Sequence, residues 1–319
     1  MKFWLRVLGS LLALGATIYF GWKFYESTRE FPPGTLGGRE IVQLGWILLF
    51  VPFQVAIGAL AWRRILWLLG SIVSRTSAIR IVFISQIARY IPGNVGHLIG
   101  KVVMVRGMGI SLPVATTSII IESIILLLCG GIVAGIILPS SLIDYVQAEK
   151  GRLYWLILAV LLGVVLAGGV LVLFRRALRS WLLELRSRFT RESWFGLRSF
   201  VFLGSCYFLN FVFLGVTAWW IGWVLFPEGG LSILFCTGVM SLAWTVGFFT
   251  PGAPAGIGVR EVVALAFLGP FIGEPEAILL LSSHRIILSL GDVVTFVLGW
   301  CVPKQSFSKG ADCPQVPKT

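Results

Sequence analysis

The sequence has little charge for its length. Only 13% of its 319 residues are charged, about half of the roughly 25% that a soluble domain carries. So few charged side chains cannot cover a water-facing surface on a chain of this size. The hydrophobic share of 57% and the mean hydropathy of +0.92 instead indicate a protein built mostly inside a bilayer.

Motifs for catalysis and for metal binding are missing. The five cysteines form no CxxC pair and there are only two histidines, so we predict neither a metal site nor a cofactor. A nucleophile elbow, an HExxH motif and a Walker loop are also lacking. Enzymatic activity is left open but not indicated, and a transporter is favoured.

The excess of positive charge follows a membrane pattern. The formal net charge is +12, but the arginines stand in short loops between apolar runs. Nucleic-acid binders instead gather their cations on one soluble face, whereas membrane proteins place them in cytoplasmic loops. We therefore predict no nucleic-acid partner, and the expected anionic partner is a lipid phosphate within the membrane.

Six apolar stretches are long enough to cross a bilayer, which takes about 20 helical residues. They belong to one predicted integral membrane domain over residues 1–302, with a basic loop at 175–198. The tail at 303–319 is predicted to be disordered and cytoplasmic. The predicted crossings are about 3–24, 41–62, 112–138, 153–174, 199–226 and 276–302.

Two further apolar stretches, 77–105 and 231–272, are interrupted. The first breaks at Pro92-Gly93-Asn94 and the second at Pro251-Gly252. A helix exposed to lipid does not tolerate such breaks, because the freed backbone groups have no water to bond. Each stretch is therefore predicted to be a re-entrant hairpin of two half-helices.

The distribution of charge predicts the orientation of the chain. If both termini are cytoplasmic, the segments on that side carry 16 Lys and Arg, against 4 in the outside loops. The first hairpin then enters from the cytoplasm and the second from outside. Opposed broken helices are typical of inverted-repeat transporters, whose substrate site lies near the bilayer midplane.

The predicted fold class is an all-α polytopic membrane protein. It has about six full crossings, two oppositely oriented re-entrant helical hairpins and an inverted pseudo-repeat. The expected location is the cytoplasmic (inner) membrane.

Ionisable side chains inside spanning segments are costly, so each marks a candidate functional position. Around the first break, Arg89 and Lys101 are interpreted as a cationic rim that binds a phosphate together with exposed backbone N–H groups. The alternative is that both side chains snorkel to the interface. The candidate positions here are Arg89, Pro92, Gly93, Asn94, His97 and Lys101.

Glu122 lies in the apolar run of a predicted crossing, with no cation near it in sequence. One interpretation is a structural salt bridge to Arg89 or Arg260. The other is a carboxylate that binds a headgroup or couples transport to protons.

Around the second break, Arg260 and Glu261 follow a glycine-rich turn where a half-helix is expected to begin. Glu261 would cap that helix, and the fork of Arg260 suits a phosphate. On the last helix, an internal link between Arg285 and Asp292 is the alternative to a transport role for its charged face. The candidate positions here are Pro251, Gly252, Gly256, Gly258, Arg260, Glu261, His284, Arg285 and Asp292.

Several of these motifs resemble those of a known family. The segments Tyr90-Ile91-Pro92-Gly93 and Gly256-Ile257-Gly258-Val259-Arg260-Glu261, with Gly109 and Glu122 between them, resemble the lysylphosphatidylglycerol synthetase transmembrane-domain family over nearly the whole chain. The resemblance implies a two-part helical fold with re-entrant segments and a central cavity. It also implies movement of lipids or lipid-linked sugars across the membrane.

The chain departs from the better-known relatives in two respects. It lacks their soluble aminoacyl-transferase domain, so lysine transfer to lipid is not expected. The segment Asn94-Val95-Gly96-His97 is less acidic than in many members, which leaves the substrate open.

The predicted function is flippase-like transport of a phospholipid, a glycolipid or a polyprenyl-linked lipid. One alternative is an accessory membrane subunit that presents lipid substrate to a glycosyltransferase or synthase. Another is a membrane lipid-modifying enzyme. The expected partners are an anionic lipid or lipid-linked glycan, the bilayer, and enzymes of lipid-glycan biosynthesis.

Overall fold

The computed structural model describes residues 37–90, 96–138, 197–250 and 256–303, together with residues 18, 19, 21, 22 and 25. Most of the predicted first crossing lies outside these residues. So do the predicted crossing at about 153–174, all but the last two residues of the basic loop, and the tail after residue 303.

Eight α-helices make up most of the described chain, and none of its residues forms a strand. They fall into two sets, each with a long helix, two short helices and a second long helix. The first set is α1 (Gly38–Leu68), α2 (Arg75–Gln86), α3 (Gly96–Arg106) and α4 (Leu112–Ile137), with a 3-10 turn at Ile87–Tyr90 after α2. The second set is α5 (Leu197–Leu225), α6 (Ile233–Phe249), α7 (Val259–Ile272) and α8 (Glu274–Cys301).

The four long helices are each long and apolar enough to cross a membrane. They contain 26 to 31 residues, or about 39 to 46 Å at about 1.5 Å per residue, and the hydrocarbon core is about 30 Å thick. Four predicted crossings are thereby confirmed as apolar helices of spanning length. They are those at about 41–62, 112–138, 199–226 and 276–302.

Large apolar side chains cover the outward faces of these helices. Ile136 on α4 is 74% exposed, and Leu49 on α1 and Trp300 on α8 are also exposed. A soluble protein rarely exposes so extensive an apolar surface. Lipid is the solvent that such a surface fits.

Short polar residues determine where two of the short helices begin. Ser74 caps α2 by accepting a hydrogen bond from the N–H of Ser77, and Ser232 caps α6 by accepting one from the N–H of Phe235. Each cap satisfies a backbone donor that the first turn of a helix leaves free.

The short pair α2–α3 begins and ends at one end of the molecule. Where α2 begins, the Nε of Arg63 near the end of α1 donates to the carbonyl of Val73 (2.7 Å). Directly after α3, the first turns of α4 return to α1, and Trp62 donates to the hydroxyl of Ser118 (3.1 Å). The end of α1 and the starts of α2 and α4 therefore lie together.

The pair α6–α7 is arranged in the same way. Phe235 at the start of α6 and Phe271 at the end of α7 are in ring contact, with centroids 4.4 Å apart. The start of α6 and the end of α7 therefore also share one end of the molecule.

The packing of the eight helices has an approximate twofold pattern. If α1 to α4 are matched with α5 to α8, every closely packed pair has a counterpart: α4 against α6 corresponds to α8 against α2, and α1 against α8 to α5 against α4. The matched helices α1 and α5 are antiparallel, because Gln54 bonds Asn210 whereas Arg64 bonds Ser199. This is the pattern expected of an inverted repeat.

Each set of helices has its own apolar core. Trp62 and Leu66 are buried with residues of α2 to α4, whereas Ile221 and Ile278 belong to a core formed mainly by α5 to α8. Polar side chains are left along the boundary between the two sets, and the candidate site lies there.

Candidate functional site

A cavity of about 170 Å³ lies where the two sets of helices meet. All eight helices contribute to its wall, so no single half of the molecule forms it. Its polar and charged lining consists of Gln54, Gln86, Arg89, His97, Lys101, Glu122, Ser123, Tyr207, Asn210, Arg260 and Asp292.

A smaller pocket of about 30 Å³ adjoins this cavity and shares Trp244 and Arg260 with it. Glu261, His284 and Arg285 line the smaller pocket. Together the two spaces place nine of the sequence-predicted site residues within one region of the fold.

The 3-10 turn after α2 is anchored to α8 by one buried carboxylate. Arg89 donates to Asp292 (Nη1 to Oδ2, 3.0 Å), and the hydroxyl of Tyr90 donates to the same oxygen (2.8 Å). Gln86 orients the guanidinium by accepting from its other terminal nitrogen (2.8 Å). Asp292 is thus neutralised by Arg89 rather than by a cation of its own helix.

Lys101 and Glu122 form a second buried ion pair, between α3 and α4. The lysine Nζ lies 2.8 and 2.9 Å from the two carboxylate oxygens, and 5.4 Å from the centroid of the Trp62 ring. Lys101 is only 5% exposed, so the alternative that its side chain snorkels to the interface is excluded. The predicted pairing of Glu122 with Arg89 or Arg260 is also wrong, because α3 packs directly against α4 and brings its own cation.

A third carboxylate, Glu261, acts at the start of α7. Its Oε2 accepts from the backbone N–H of Gly258 (2.7 Å), which confirms the predicted capping role. Gly258 has a φ of +84°, a conformation that costs glycine little and other residues much. The other oxygen of Glu261 lies 3.7 Å from Arg285 on α8.

The second and third ion pairs occupy matching places in the two sets of helices. Lys101–Glu122 joins α3 to α4, and Glu261–Arg285 joins α7 to α8. The signs are exchanged, because the cation stands on the short helix in one set and on the long helix in the other. Both pairs therefore hold a short helix against its long neighbour.

Arg260 differs from the other cations of the cavity. Among the described residues no carboxylate pairs with it, and its Nε is buried without a hydrogen-bond partner. Its Cζ lies 5.3 Å from the centroid of the Trp244 ring. A Cβ at Gly247 or Gly256 would collide with its side chain, so these two glycines make room for it.

The two histidines have different surroundings. His97 lines the main cavity, and its Nδ1 is buried with no partner among the described residues. His284 lies 3.1 Å from the hydroxyl of Thr217 (Nε2 to Oγ1). On the last helix, His284, Arg285 and Asp292 each have a different partner in the structure.

The other site residues predicted from the sequence belong either to the start of α7 or to the two Pro-Gly breaks. Gly256 and Gly258 flank the start of α7, as expected. The residues of the breaks lie outside the described part of the chain, namely Pro92, Gly93, Asn94, Pro251 and Gly252.

Sequence reasoning missed part of the cavity wall. Gln54 and Asn210 are polar side chains in the middle of apolar helices, and that contrast could have marked them. Tyr207 and Trp244 gave no such signal, since aromatic residues are common in spanning helices.

The fold and the site together define a class, a multi-pass helical membrane protein with a charged cavity between two halves. Within that class, the chain belongs to the family of the lysylphosphatidylglycerol synthase TM region, whose family model matches residues 6–290. The family suggested by the sequence motifs is thereby confirmed, and it associates the chain with lipid-related functions of membranes. No curated protein and no solved structure matches the chain.

Proposed function

We propose that this protein moves a lipid with an anionic headgroup across the bilayer, and that Arg260 binds the phosphate. The observation that carries the proposal is the charge left over in the cavity. Arg89, Lys101 and Arg285 each face a carboxylate, whereas Arg260 faces none among the described residues. The two interrupted segments of the sequence, 91–95 and 251–255, contain no ionisable side chain.

An uncompensated guanidinium in a low-dielectric site is costly unless an anion neutralises it or water solvates it. Arginine also presents a planar fork that binds phosphate oxygens in pairs. A phosphodiester headgroup supplies the missing negative charge. The volume of about 170 Å³ lies below the range of about 300–1,000 Å³ for drug-sized ligands, so the headgroup would enter while the acyl chains stay in the bilayer.

The geometry of the short helices supports re-entrant hairpins. They have 11 to 17 residues, or about 16 to 26 Å, which is less than the hydrocarbon thickness of about 30 Å. Each pair starts and finishes at one end, and α1 and α5 are antiparallel. We infer that the two hairpins enter from opposite sides of the membrane and meet at the cavity.

Two opposed halves around one central site are the arrangement used for alternating access. Rocking of one set of helices against the other would expose Arg260 first to one leaflet and then to the other. We propose the cytoplasmic membrane as the location, with both termini in the cytoplasm. Enzymes of lipid-glycan synthesis are the proposed partners.

The test is transport by the purified protein in liposomes. A fluorescent phosphatidylglycerol should change leaflet faster than in empty liposomes, and Arg260→Gln should reduce the rate at least tenfold by removing the charge that binds the phosphate. Arg106→Gln is the matched control, because Arg106 is exposed at the end of α3 and lies outside the cavity.

Leaflet exchange no faster than in empty liposomes would refute the transport proposal and favour the accessory subunit. Normal transport by Arg260→Gln would refute only the role of Arg260. Conversion of the lipid to a new product would instead favour a lipid-modifying enzyme.

A further inference from the structure

A third space in the molecule is lined by arginines and lies outside the central cavity. It is a groove of about 430 Å³ between the end of α1, the start of α2 and the start of α5, and it shares no lining residue with the cavity. We call it the arginine groove. It is lined by Leu60, Arg63, Arg64, Arg75, Arg198 and Phe202.

The four guanidinium groups of the groove come from three helices. Among the described residues, none of them pairs with a carboxylate. Loop arginines that serve only to orient a membrane protein can spread through the solvent. Here residues far apart in sequence converge on one concave surface, which the orientation of the chain does not require.

Two of these arginines are held in place by hydrogen bonds. Arg63 donates to the carbonyl of Val73 (2.7 Å) and Arg64 to the hydroxyl of Ser199 (2.7 Å). The Cζ of Arg64 also lies 4.0 Å from the centroid of the Trp67 ring. An arginine has five N–H donors, so each retains others for a ligand while its direction is fixed.

Arg75 stands where a cation is unfavourable, since it is the first residue of α2, directly after the N-cap Ser74. The start of a helix carries partial positive charge and favours anions instead. Arg198, on α5, adds the fourth guanidinium to the groove. One helix start and four guanidinium groups thus concentrate positive potential in one groove, and an anion bound there relieves the repulsion.

We propose that the arginine groove binds an anionic phospholipid, with its phosphate among the guanidinium groups. Leu60 and Phe202 form the apolar part of the groove, and Phe202 is 43% exposed, which provides a surface for an acyl chain. A free phosphate has no apolar group that could pack against that part of the groove. On the charge-based topology this lipid belongs to the cytoplasmic leaflet, where anionic lipids attract basic segments.

A lipid in the groove would act on the contact between the two halves of the molecule. The hydrogen bond from Arg64 to Ser199 joins α1 to α5, which are the matched helices of the two sets. Binding of a phosphate to Arg64 and Arg198 would strengthen that contact. The proposal does not depend on transport, because the groove and the cavity are separate.

Lipid binding to the delipidated full-length protein in detergent tests the proposal. Phosphatidylglycerol should raise the melting temperature, and phosphatidylcholine and inorganic phosphate should raise it much less. The triple variant Arg64→Gln/Arg75→Gln/Arg198→Gln should bind phosphatidylglycerol at least about tenfold more weakly, since it loses three charge-assisted contacts. All these proteins should carry Arg260→Gln, so that the cavity contributes little to the signal.

The control is Arg106→Gln in the same background, an exposed arginine outside the groove. Equal stabilisation by phosphatidylglycerol and phosphatidylcholine would overturn the proposal without the use of any variant. Equal stabilisation by inorganic phosphate would show a phosphate site rather than a lipid site. An equal loss of binding in Arg106→Gln and in the triple variant would show that surface charge alone attracts the lipid.

Discussion

Arg260 and Lys101 are both cations of the cavity wall, but they differ in what neutralises them. Lys101 has both oxygens of Glu122 within 2.9 Å. Arg260 has the face of Trp244 at 5.3 Å, and a cation over an aromatic ring gains only about 0.5–2 kcal/mol. At this scale the structure separates a residue that holds the fold together from one that is available to a ligand.

The pair Lys101–Glu122 predicts a stability effect with a clear sign. Lys101→Met leaves the Glu122 carboxylate buried without a partner, so it should lower the free energy of unfolding by about 3–5 kcal/mol. The double variant Lys101→Met/Glu122→Met should recover most of that loss, because no charge remains buried. Unfolding in detergent measures both values, with Arg106→Met as an exposed control that should change stability by less than about 0.5 kcal/mol.

A double variant that stays as unstable as Lys101→Met would show that the unpaired Glu122 carboxylate is not the cause of the lost stability. If the loss of stability in the double variant equals the sum of the losses in Lys101→Met and in Glu122→Met measured alone, Lys101 and Glu122 are not coupled.

At the residue scale, the sequence was a better guide to which side chains belong to the site than to which of them form ion pairs with each other. A charge in an apolar run is visible in the sequence, and this is how Glu122 and Asp292 were found. Their partners are set by helix packing: Arg89 is 203 positions from Asp292 along the chain. No periodicity within one helix carries that information, so the sequence left the partner of Asp292 open.

At the scale of elements, the short helix pairs are the unusual feature of the molecule. Each begins and ends at one end, and each is held by an ion pair to the long helix that follows it. The first pair has a further anchor from its 3-10 turn to α8 through Asp292. A hairpin fixed at both its tip and its side presents its cavity residues with little freedom.

Accessibility of the hairpin ends predicts which side of the membrane each pair enters from. In a cysteine-free background, Arg75→Cys and Arg106→Cys should react with an impermeant thiol reagent from the cytoplasmic side. Glu228→Cys and Glu274→Cys, which flank the second pair, should react from the outside. All four positions are exposed, so each thiol should be accessible to water-borne reagent.

Reaction of Arg75→Cys and Arg106→Cys from opposite sides would show that α2 and α3 cross the membrane together. That result would exclude a re-entrant first hairpin.

The sequence predicted elements well where the bilayer dictates them. About 20 apolar residues are needed to cross, and the four described long helices follow that rule. Each interrupted stretch contains two separate described helices, as the Pro-Gly pairs indicated. The arginine groove was not predicted, because its arginines were interpreted only as markers of topology.

At the scale of the whole molecule, the twofold pattern of packing relates two halves whose sequences differ. In Lys101–Glu122 the short helix supplies the cation, whereas in Glu261–Arg285 the long helix supplies it. Because the charges are exchanged in this way, a comparison of the residues alone reveals little of the twofold pattern. Packing conserves the geometry of an interface while allowing either helix to supply the cation. The α4–α6 and α2–α8 contacts are among those that join the two halves, so these surfaces must shift if the halves move against each other.

Disulfide cross-links can test whether the halves move. Ile137→Cys/Gly238→Cys joins α4 to α6, across the halves, and Ser85→Cys/Gly100→Cys joins α2 to α3, within one half. In both pairs a Cβ built on the glycine lies 3.2 Å from the Cβ of its partner, somewhat shorter than the mean of about 3.8 Å for a disulfide. The two pairs therefore make matched variants, each in a background without the five native cysteines.

Alternating access predicts opposite results for the two cross-links. Oxidation of Ile137→Cys/Gly238→Cys should stop lipid transport in liposomes, because it fixes one half against the other, and reduction should restore it in the same sample. Oxidation of Ser85→Cys/Gly100→Cys should leave the rate within about twofold, since α2 and α3 move together. Transport that continues at full rate with α4 tied to α6 would mean that the headgroup passes through a molecule whose halves stay fixed.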